Sequence, residues 1–139
     1  MANAPRPIAE IASFHAHVYF AENDEAEAAA AKEIREAVAH RFAVALGRWH
    51  DGAVGPHDRG SYQIAFGPHL FATIVPWLML NHGGLSILIH PNTHWVRRDH
   101  LQDCLWIGTR LDLREETLPE REDEPEPPPV PNTAPSVQP

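Results

Sequence analysis

Histidine is the residue type in this chain whose number and spacing point most directly to chemistry. The 139 residues include ten His, against one Lys and one Cys. A neutral imidazole is a common metal ligand, and its titration near neutral pH suits acid–base catalysis. The excess therefore favours a metal site or a proton-transfer site. A single Cys excludes an intramolecular disulfide and a zinc site built from Cys ligands within these residues.

Two of the histidines, His15 and His17, lie in a segment that has the character of a β-strand. Residues Phe14–Phe20 are mainly aromatic or β-branched, which is typical of strands. Side chains alternate along a strand, so His15, His17 and Tyr19 share one face and the apolar residues between them share the other. Residues i and i+2 of a strand are about 7 Å apart, which allows both imidazoles to reach one metal ion.

Other candidate residues lie in a long loop and at a strand end. His50 and His57 belong to a loop of about eleven residues, longer than a hairpin needs, between predicted strands at 43–49 and 61–66. Arg48 and Arg59 bracket this loop and have the geometry to bind a substrate carboxylate through two hydrogen bonds. His90 ends a predicted strand at 86–90, before Pro91-Asn92.

The predicted elements have the order β-α-β-β-α-β, followed by an extra C-terminal strand at 105–113. The first helix begins after Asp24 as N-cap and runs to about Arg41. The second begins at Pro68 and ends at Gly83-Gly84, and Pro76 is expected to kink or divide it. This order predicts an α+β fold of the ferredoxin-like, split βαβ type, an antiparallel sheet with both helices on one face. The fourth strand then lies beside the first, so His90 can join His15 and His17 on the open face.

Composition divides the chain into three parts: a flexible N-terminus (1–12), one folded domain (13–114) and an acidic, Pro-rich tail (115–139). Eight of the last 21 residues are Pro, and five acidic residues against one Arg there supply half of the net charge of −8. This composition predicts a disordered tail. The low basic content argues against a nucleic-acid partner, and no apolar run is long enough to span a membrane. We expect a cytoplasmic protein.

Four stretches of the chain resemble motifs of the DOPA 4,5-dioxygenase family. They are FHAHVYF at 14–20, LGRWHD at 46–51 followed by VGPH at 54–57, VPWLMLN at 75–81, and IHPNT at 89–93. The motifs occur in the order found in the family, and the resemblance extends over roughly residues 13–113. The fold of the family is similar to the ferredoxin-like arrangement inferred above.

The resemblance implies extradiol cleavage by O2 of a catechol, DOPA or a similar compound, with non-haem Fe(II) or another divalent metal as cofactor. It implies that the recurring histidines form the site: His15, His17, His57 and His90 as metal ligands, and His50 and His57 as catalytic residues. Arg48, Arg59 and Tyr19 are the candidate substrate-binding residues. A carboxylate ligand is open between Asp51, Asp58 and Glu22, and a site of three His is the other option. We also expect a homodimer.

Two other functions are compatible with the sequence. One is a non-catalytic ferredoxin-like module that binds a ligand or dimerises through the open face. The other is a hydrolase or isomerase that uses a His pair. An interface would more naturally carry apolar residues at positions 15 and 17 than imidazoles, so the sequence favours the dioxygenase.

Overall fold

The computed structural model describes residues 4–139, with five strands and three α-helices in this part of the chain. The strands are β1 (Ser13–Phe20), β2 (Ala45–Leu46), β3 (Gly60–Phe66), β4 (Ile87–Asn92) and β5 (Leu105–Ile107). The helices are α1 (Glu25–Arg41), α2 (Phe71–Asn81) and α3 (Val96–Leu101). No helix in residues 4–139 combines the length and apolar character that crossing a membrane requires.

The five strands form one antiparallel sheet in the order β2-β3-β1-β4-β5. This confirms the predicted ferredoxin-like arrangement, with β1 between β3 and β4 and the extra strand at the edge. In the register of β1 and β4, His15 lies directly opposite His90. Paired residues on neighbouring strands point to the same face, so the register places these two imidazoles side by side.

Helices α1 and α2 cover one face of the sheet and form the core with it. The apolar residues of β1 pack there with Ala31, Ile34 and Val38 of α1 and Ile74 and Leu78 of α2. Asp24 caps α1 by accepting a hydrogen bond of 3.0 Å from the backbone N–H of Glu27, as predicted. Because the apolar alternation of β1 fixes which of its faces is buried under the helices, it sends the alternate residues to the other face.

Four predicted elements differ in part from the structure. Pro76 was expected to kink or divide the second helix, and α2 continues through it undivided. Strand β4 includes Pro91 and Asn92, which were expected to end it. Strand β5 pairs only with Ile87–Ile89 of β4, so the missing N–H of Pro91 lies at an open edge, where a proline is tolerated. Strand β5 ends at Ile107 and not near Leu113, and β2 is two residues long.

The acidic tail lies on the folded domain, which differs from the predicted disorder. The Asn132 side chain donates to the Leu46 carbonyl and accepts from the Leu46 N–H, at 2.9 and 2.8 Å. The Thr133 hydroxyl donates to the Phe42 carbonyl at 2.6 Å. The composition correctly indicates a segment with few apolar groups. In the structure, however, its polar groups form hydrogen bonds with the free edge of β2 and the residues before it. The many prolines also lower the entropy lost when the segment is ordered.

The segment before β1 has partners as well, although flexibility was expected there. Arg6 lies 2.7 Å from both Glu10 and Asp103, and residues Ile8–Glu10 form a 3₁₀ turn. Residues 1–3 of the predicted flexible N-terminus lie outside the described part. The three-part division of the chain itself stays a prediction.

Candidate metal centre

Three histidines converge on the face of the sheet that α1 and α2 leave open. They are His15 and His17 of β1 and His90 of β4, all buried, and each offers a ring nitrogen within 4.8 Å of the others. The Nε2 atoms of His17 and His90 are 3.1 Å apart. Two ligands bound at right angles to one metal ion, each at about 2.1 Å, are separated by about 3 Å, so the spacing suits a shared cation.

Hydrogen bonds and burial show that these nitrogens fit a cation. His90 Nδ1 donates to the Pro91 carbonyl at 2.8 Å, so the lone pair of its neutral ring is on Nε2, the atom that faces His17. His15 Nε2 is buried without a well-aligned hydrogen-bond partner. A carboxylate oxygen of Glu126 lies 2.9 Å from it, and this contact with His15 lowers the pKa of Glu126.

The protonation state of the group also suits metal binding. Burial lowers the pKa of His17 and His90 well below the usual value, and the neighbouring imidazoles lower it further. Both rings are therefore neutral at physiological pH. The neutral imidazole is the form that binds a metal, so no proton has to be removed first.

His57 packs against this group but does not belong to it. Its ring centroid is 4.1 Å from that of His17, and a hydrogen bond of 2.6 Å joins its Nδ1 to the hydroxyl of Tyr19. Burial, helped by nearby imidazoles and Arg114, lowers the pKa of His57 to about 4. Burial raises the pKa of Tyr19, which therefore remains a neutral phenol. No ring nitrogen of His57 belongs to the group, so His57 is not placed among the ligands as predicted. Its position suits the other predicted role, in proton transfer.

The long loop forms a cavity beside the histidines. A cavity of about 300 Å³ is lined by, among others, His17, Arg48, His50, His57 and Gln63. The loop is held by backbone hydrogen bonds of 2.9 Å in both directions between His50 and Ser61, whose strand neighbour is Tyr19. Two of the predicted residues, Arg48 and His50, therefore lie at one site with His17 and His57.

Two further arginines lie near the site. Arg59 was predicted to bind substrate, whereas Arg114 was not singled out in the sequence. The charge of Arg59 is close enough to Tyr19 to oppose the effect of burial on its pKa. Arg114 donates to the Gly55 carbonyl at 2.7 Å, and its backbone N–H donates to the Pro56 carbonyl at 2.8 Å. It therefore fixes the end of the loop that carries His57. Its position after the last strand gave no signal of this contact.

His100 of α3 is a site residue that the sequence did not single out. Its ring centroid lies 3.9 Å from that of His90 and 6.4 Å from that of His17. His100 Nδ1 donates to the Val96 carbonyl at 2.8 Å. Asp99 accepts hydrogen bonds of 2.8 and 2.7 Å from the backbone N–H and hydroxyl of Thr93, and this buried contact fixes the turn before α3. The only sequence signal was the residue type itself.

None of the three carboxylates considered from the sequence lies in the His group. Asp51, Asp58 and Glu22 are all exposed, and Asp51 accepts a hydrogen bond of 2.9 Å from Trp49 Nε1. The carboxylate beside the group belongs to Glu126, in the tail. The sequence did not point to Glu126, because the alternation of side chains along a strand says nothing about where a residue of a Pro-rich segment lies.

The chain is similar in sequence to known proteins. A sequence model of the Dopa 4,5-dioxygenase family matches residues 14–117. A DOPA 4,5-dioxygenase of Amanita muscaria is 40% identical over 121 residues, 83% of this chain and 53% of that protein. An uncharacterized 21.2 kDa protein of Botryotinia fuckeliana is 32% identical over 110 residues, 73% of this chain and 60% of that protein. The chain thus spans between half and three-fifths of the length of these curated relatives.

A solved structure is also similar. The crystal structure of a "putative dioxygenase" from Nostoc punctiforme PCC 73102 matches with a TM-score of 0.77 and 49% sequence identity. The match covers 81% of this chain and 96% of the other. The two chains are therefore similar in sequence as well as in fold.

Proposed function

This chain belongs to the Dopa 4,5-dioxygenase family, and we propose that it is a metal-dependent extradiol dioxygenase that opens the ring of DOPA or a similar catechol. The observation that carries the proposal is the convergence of His15, His17 and His90 on one buried point of the open sheet face. A cavity with further His and Arg side chains adjoins that point. A metal ion and a small substrate could therefore bind next to each other.

The metal is proposed to be Fe(II), held by the ring nitrogens of the three histidines. When bound, the metal supplies Lewis acidity that favours the ionised catechol and the redox chemistry that allows dioxygen to react with it. Three neutral imidazoles leave the full charge of a divalent ion uncompensated. The site therefore favours an anionic substrate.

His57 is proposed as the residue that exchanges a proton with the substrate. In the tautomer that can act as a base, His57 Nδ1 donates its proton to the Tyr19 hydroxyl oxygen, so that Nε2 carries the lone pair that accepts a proton. The neutral ring can accept a proton from a catechol hydroxyl. An anionic substrate beside it opposes the effect of burial and brings its pKa closer to neutrality. His50, at the other side of the cavity, is a second candidate for the return of the proton to the product.

Arg48 and Arg59 are proposed to recognise the carboxylate of an amino-acid catechol such as DOPA. Arg48 lines the cavity, and Arg59 is close enough to Tyr19 for its charge to oppose the rise in the pKa of that side chain. A volume of about 300 Å³ is at the lower end of small-molecule sites, which suits a compound with one ring. A homodimer and a cytoplasmic location remain predictions.

Oxygen uptake is the direct test of the proposed reaction. The protein is reconstituted anaerobically with Fe(II), mixed with DOPA and exposed to air, while oxygen and visible absorbance are recorded. We expect one O2 consumed for each DOPA and a yellow product. His17→Leu should abolish both, whereas His69→Leu, which changes an exposed His outside the site, should retain them. Protein that holds its metal but consumes no oxygen with any catechol would overturn the proposal.

A further inference from the structure

The cavity beside the histidines is also lined by Gln63, whose side-chain amide has no part in the roles proposed above. We propose that this amide hydrogen-bonds a hydroxyl group of the catechol, so that Gln63 is a substrate-binding residue. The assignment rests on the proposed function, because it presupposes a catechol in this cavity. Gln63 lies outside the four motifs that resemble the family, so the resemblance gives it no role.

The pairing of β1 with β3 places Gln63 directly beside His17. The two residues lie opposite each other in the register of these antiparallel strands. The chain neighbours of Gln63, Tyr62 and Ile64, are buried in the core under the helices, so alternation directs the Gln63 side chain to the open face. Opposite residues on one face have Cβ atoms about 5 Å apart. Gln63 therefore borders, on the β3 side, the point where the Nε2 atoms of His17 and His90 meet.

Gly47 holds the backbone of Gln63 from the neighbouring segment of the chain. The N–H of Gly47 donates to the Gln63 carbonyl at 2.8 Å. A Cβ atom at position 47 would lie 3.3 Å from the Cβ of Gln63, which is a tight contact, so the glycine leaves room for the Gln63 side chain. Arg48, which follows Gly47, lines the same cavity. One close approach of the chain therefore positions both the amide and the guanidinium at the cavity.

An amide suits a substrate oxygen that changes its protonation state during the reaction. The carbonyl oxygen of Gln63 can accept a hydrogen bond from a neutral hydroxyl, and its NH2 group can donate one to an ionised oxygen. The amide carries no charge, so it neither repels an anionic substrate nor competes with Arg48 for it. Gln63 is half-buried, which limits the access of competing water to its side chain. The amide can therefore be a partner of the substrate oxygen before and after proton transfer.

His57 and Gln63 are both neighbours of His17, and their tasks are complementary. The His57 ring centroid is 4.1 Å from that of His17, and all three residues line the cavity. A catechol oxygen next to His17 would therefore have both a base and an amide as neighbours. His57 exchanges the proton, and Gln63 holds the oxygen from which the proton leaves. Both residues then determine the geometry of the proton transfer.

Binding of 4-nitrocatechol tests the assignment without turnover. The protein is loaded with Co(II) and titrated with 4-nitrocatechol in the absence of oxygen, and the visible absorption of this catechol gives its dissociation constant. Gln63→Met, which keeps the length of the side chain and removes the amide, is compared with Gln102→Met, at an exposed glutamine outside the cavity. We expect Gln63→Met to raise the dissociation constant about 10-fold, as for the loss of one hydrogen bond to the substrate. The Co(II) affinity of both variants and the 4-nitrocatechol affinity of Gln102→Met should equal those of the wild type.

The outcomes separate this assignment from the proposed function. An unchanged dissociation constant in Gln63→Met would overturn the role of Gln63 and leave the proposed function in place. Equal weakening in Gln102→Met, or a parallel loss of Co(II) affinity in Gln63→Met, would also overturn that role, since the effect would then not come from the amide. Wild-type protein that binds no Co(II), or no 4-nitrocatechol, would overturn the proposed function itself. Weaker binding of 4-nitrocatechol in Gly47→Ala, whose added methyl group presses on Gln63, would support the assignment further.

Discussion

Replacement of His90 by Leu is expected to remove the stabilisation that a metal gives, with little effect on the metal-free fold. The His90 side chain is 1% exposed, so the leucine occupies an enclosed site of similar size. The change removes the hydrogen bonds to the Pro91 carbonyl and to His17 Nε2, each worth about 1 kcal/mol. It also removes a buried polar ring, which offsets part of that loss. The free energy of unfolding without metal should fall by about 2 kcal/mol or less.

The effect with metal is much larger for the wild-type protein. A ligand at 100 times its dissociation constant stabilises the folded state by about 2.7 kcal/mol. For a protein of this length, 1 kcal/mol corresponds to about 3–4 °C in Tm, so the metal should raise the wild-type Tm by about 10 °C. Without His90 only two ring nitrogens of the group remain. The affinity then falls, and most of this shift disappears.

Thermal unfolding with and without Co(II), in buffers scrubbed of other metals, measures both effects. His69→Leu is the matched control, because His69 is an exposed His outside the group. The control should keep the wild-type shift of about 10 °C in Tm. A full metal-dependent shift in His90→Leu would refute the reasoning, as would a wild-type Tm that does not respond to metal.

Three further predictions follow from individual contacts. Tyr19→Phe removes the hydroxyl that is hydrogen-bonded to His57, so kcat for ring cleavage should fall about 10-fold or more while the Co(II) affinity is unchanged. An unaltered kcat in steady-state oxygen uptake would contradict this. Asp99→Ala leaves the buried Thr93 N–H without its acceptor and should lower the free energy of unfolding by about 2 kcal/mol in urea denaturation; a loss below about 0.5 kcal/mol would contradict the role of that turn. A chain that ends at Leu118 lacks the hydrogen bonds of Asn132 and Thr133 to Leu46 and Phe42 and should unfold at a lower Tm; an unchanged Tm in thermal unfolding would show that the tail does not stabilise the domain.

The part of the site on β1 was predictable because alternation is a local property. Apolar residues at every second position from Phe14 to Phe20 determine which face of β1 lies under the helices, so His15 and His17 lie on the other face. The order of elements then determines that β4 lies beside β1. His90 follows from these two facts, without knowledge of the exact register.

The remaining site residues depend on contacts that no local pattern encodes. His100 reaches the site because Asp99 and Thr93 fix a turn before α3, and a six-residue helix gives little periodicity to read. Glu126 lies in a segment whose composition predicts disorder, and its position depends on the hydrogen bond from the Ser13 hydroxyl to its carbonyl. The carboxylates nearest to the histidines in sequence point instead to solvent. Separation along the chain was therefore a poor guide to which carboxylate lies beside the histidines.

Metal analysis of protein purified without a His-tag or chelators is the most direct test of the metal site. We expect about one divalent metal ion per chain, Fe(II) in protein handled without oxygen, and its loss when His15, His17 and His90 are all replaced by Leu. Wild-type protein that holds no metal after incubation with Fe(II), or a triple variant that retains the wild-type content, would contradict it.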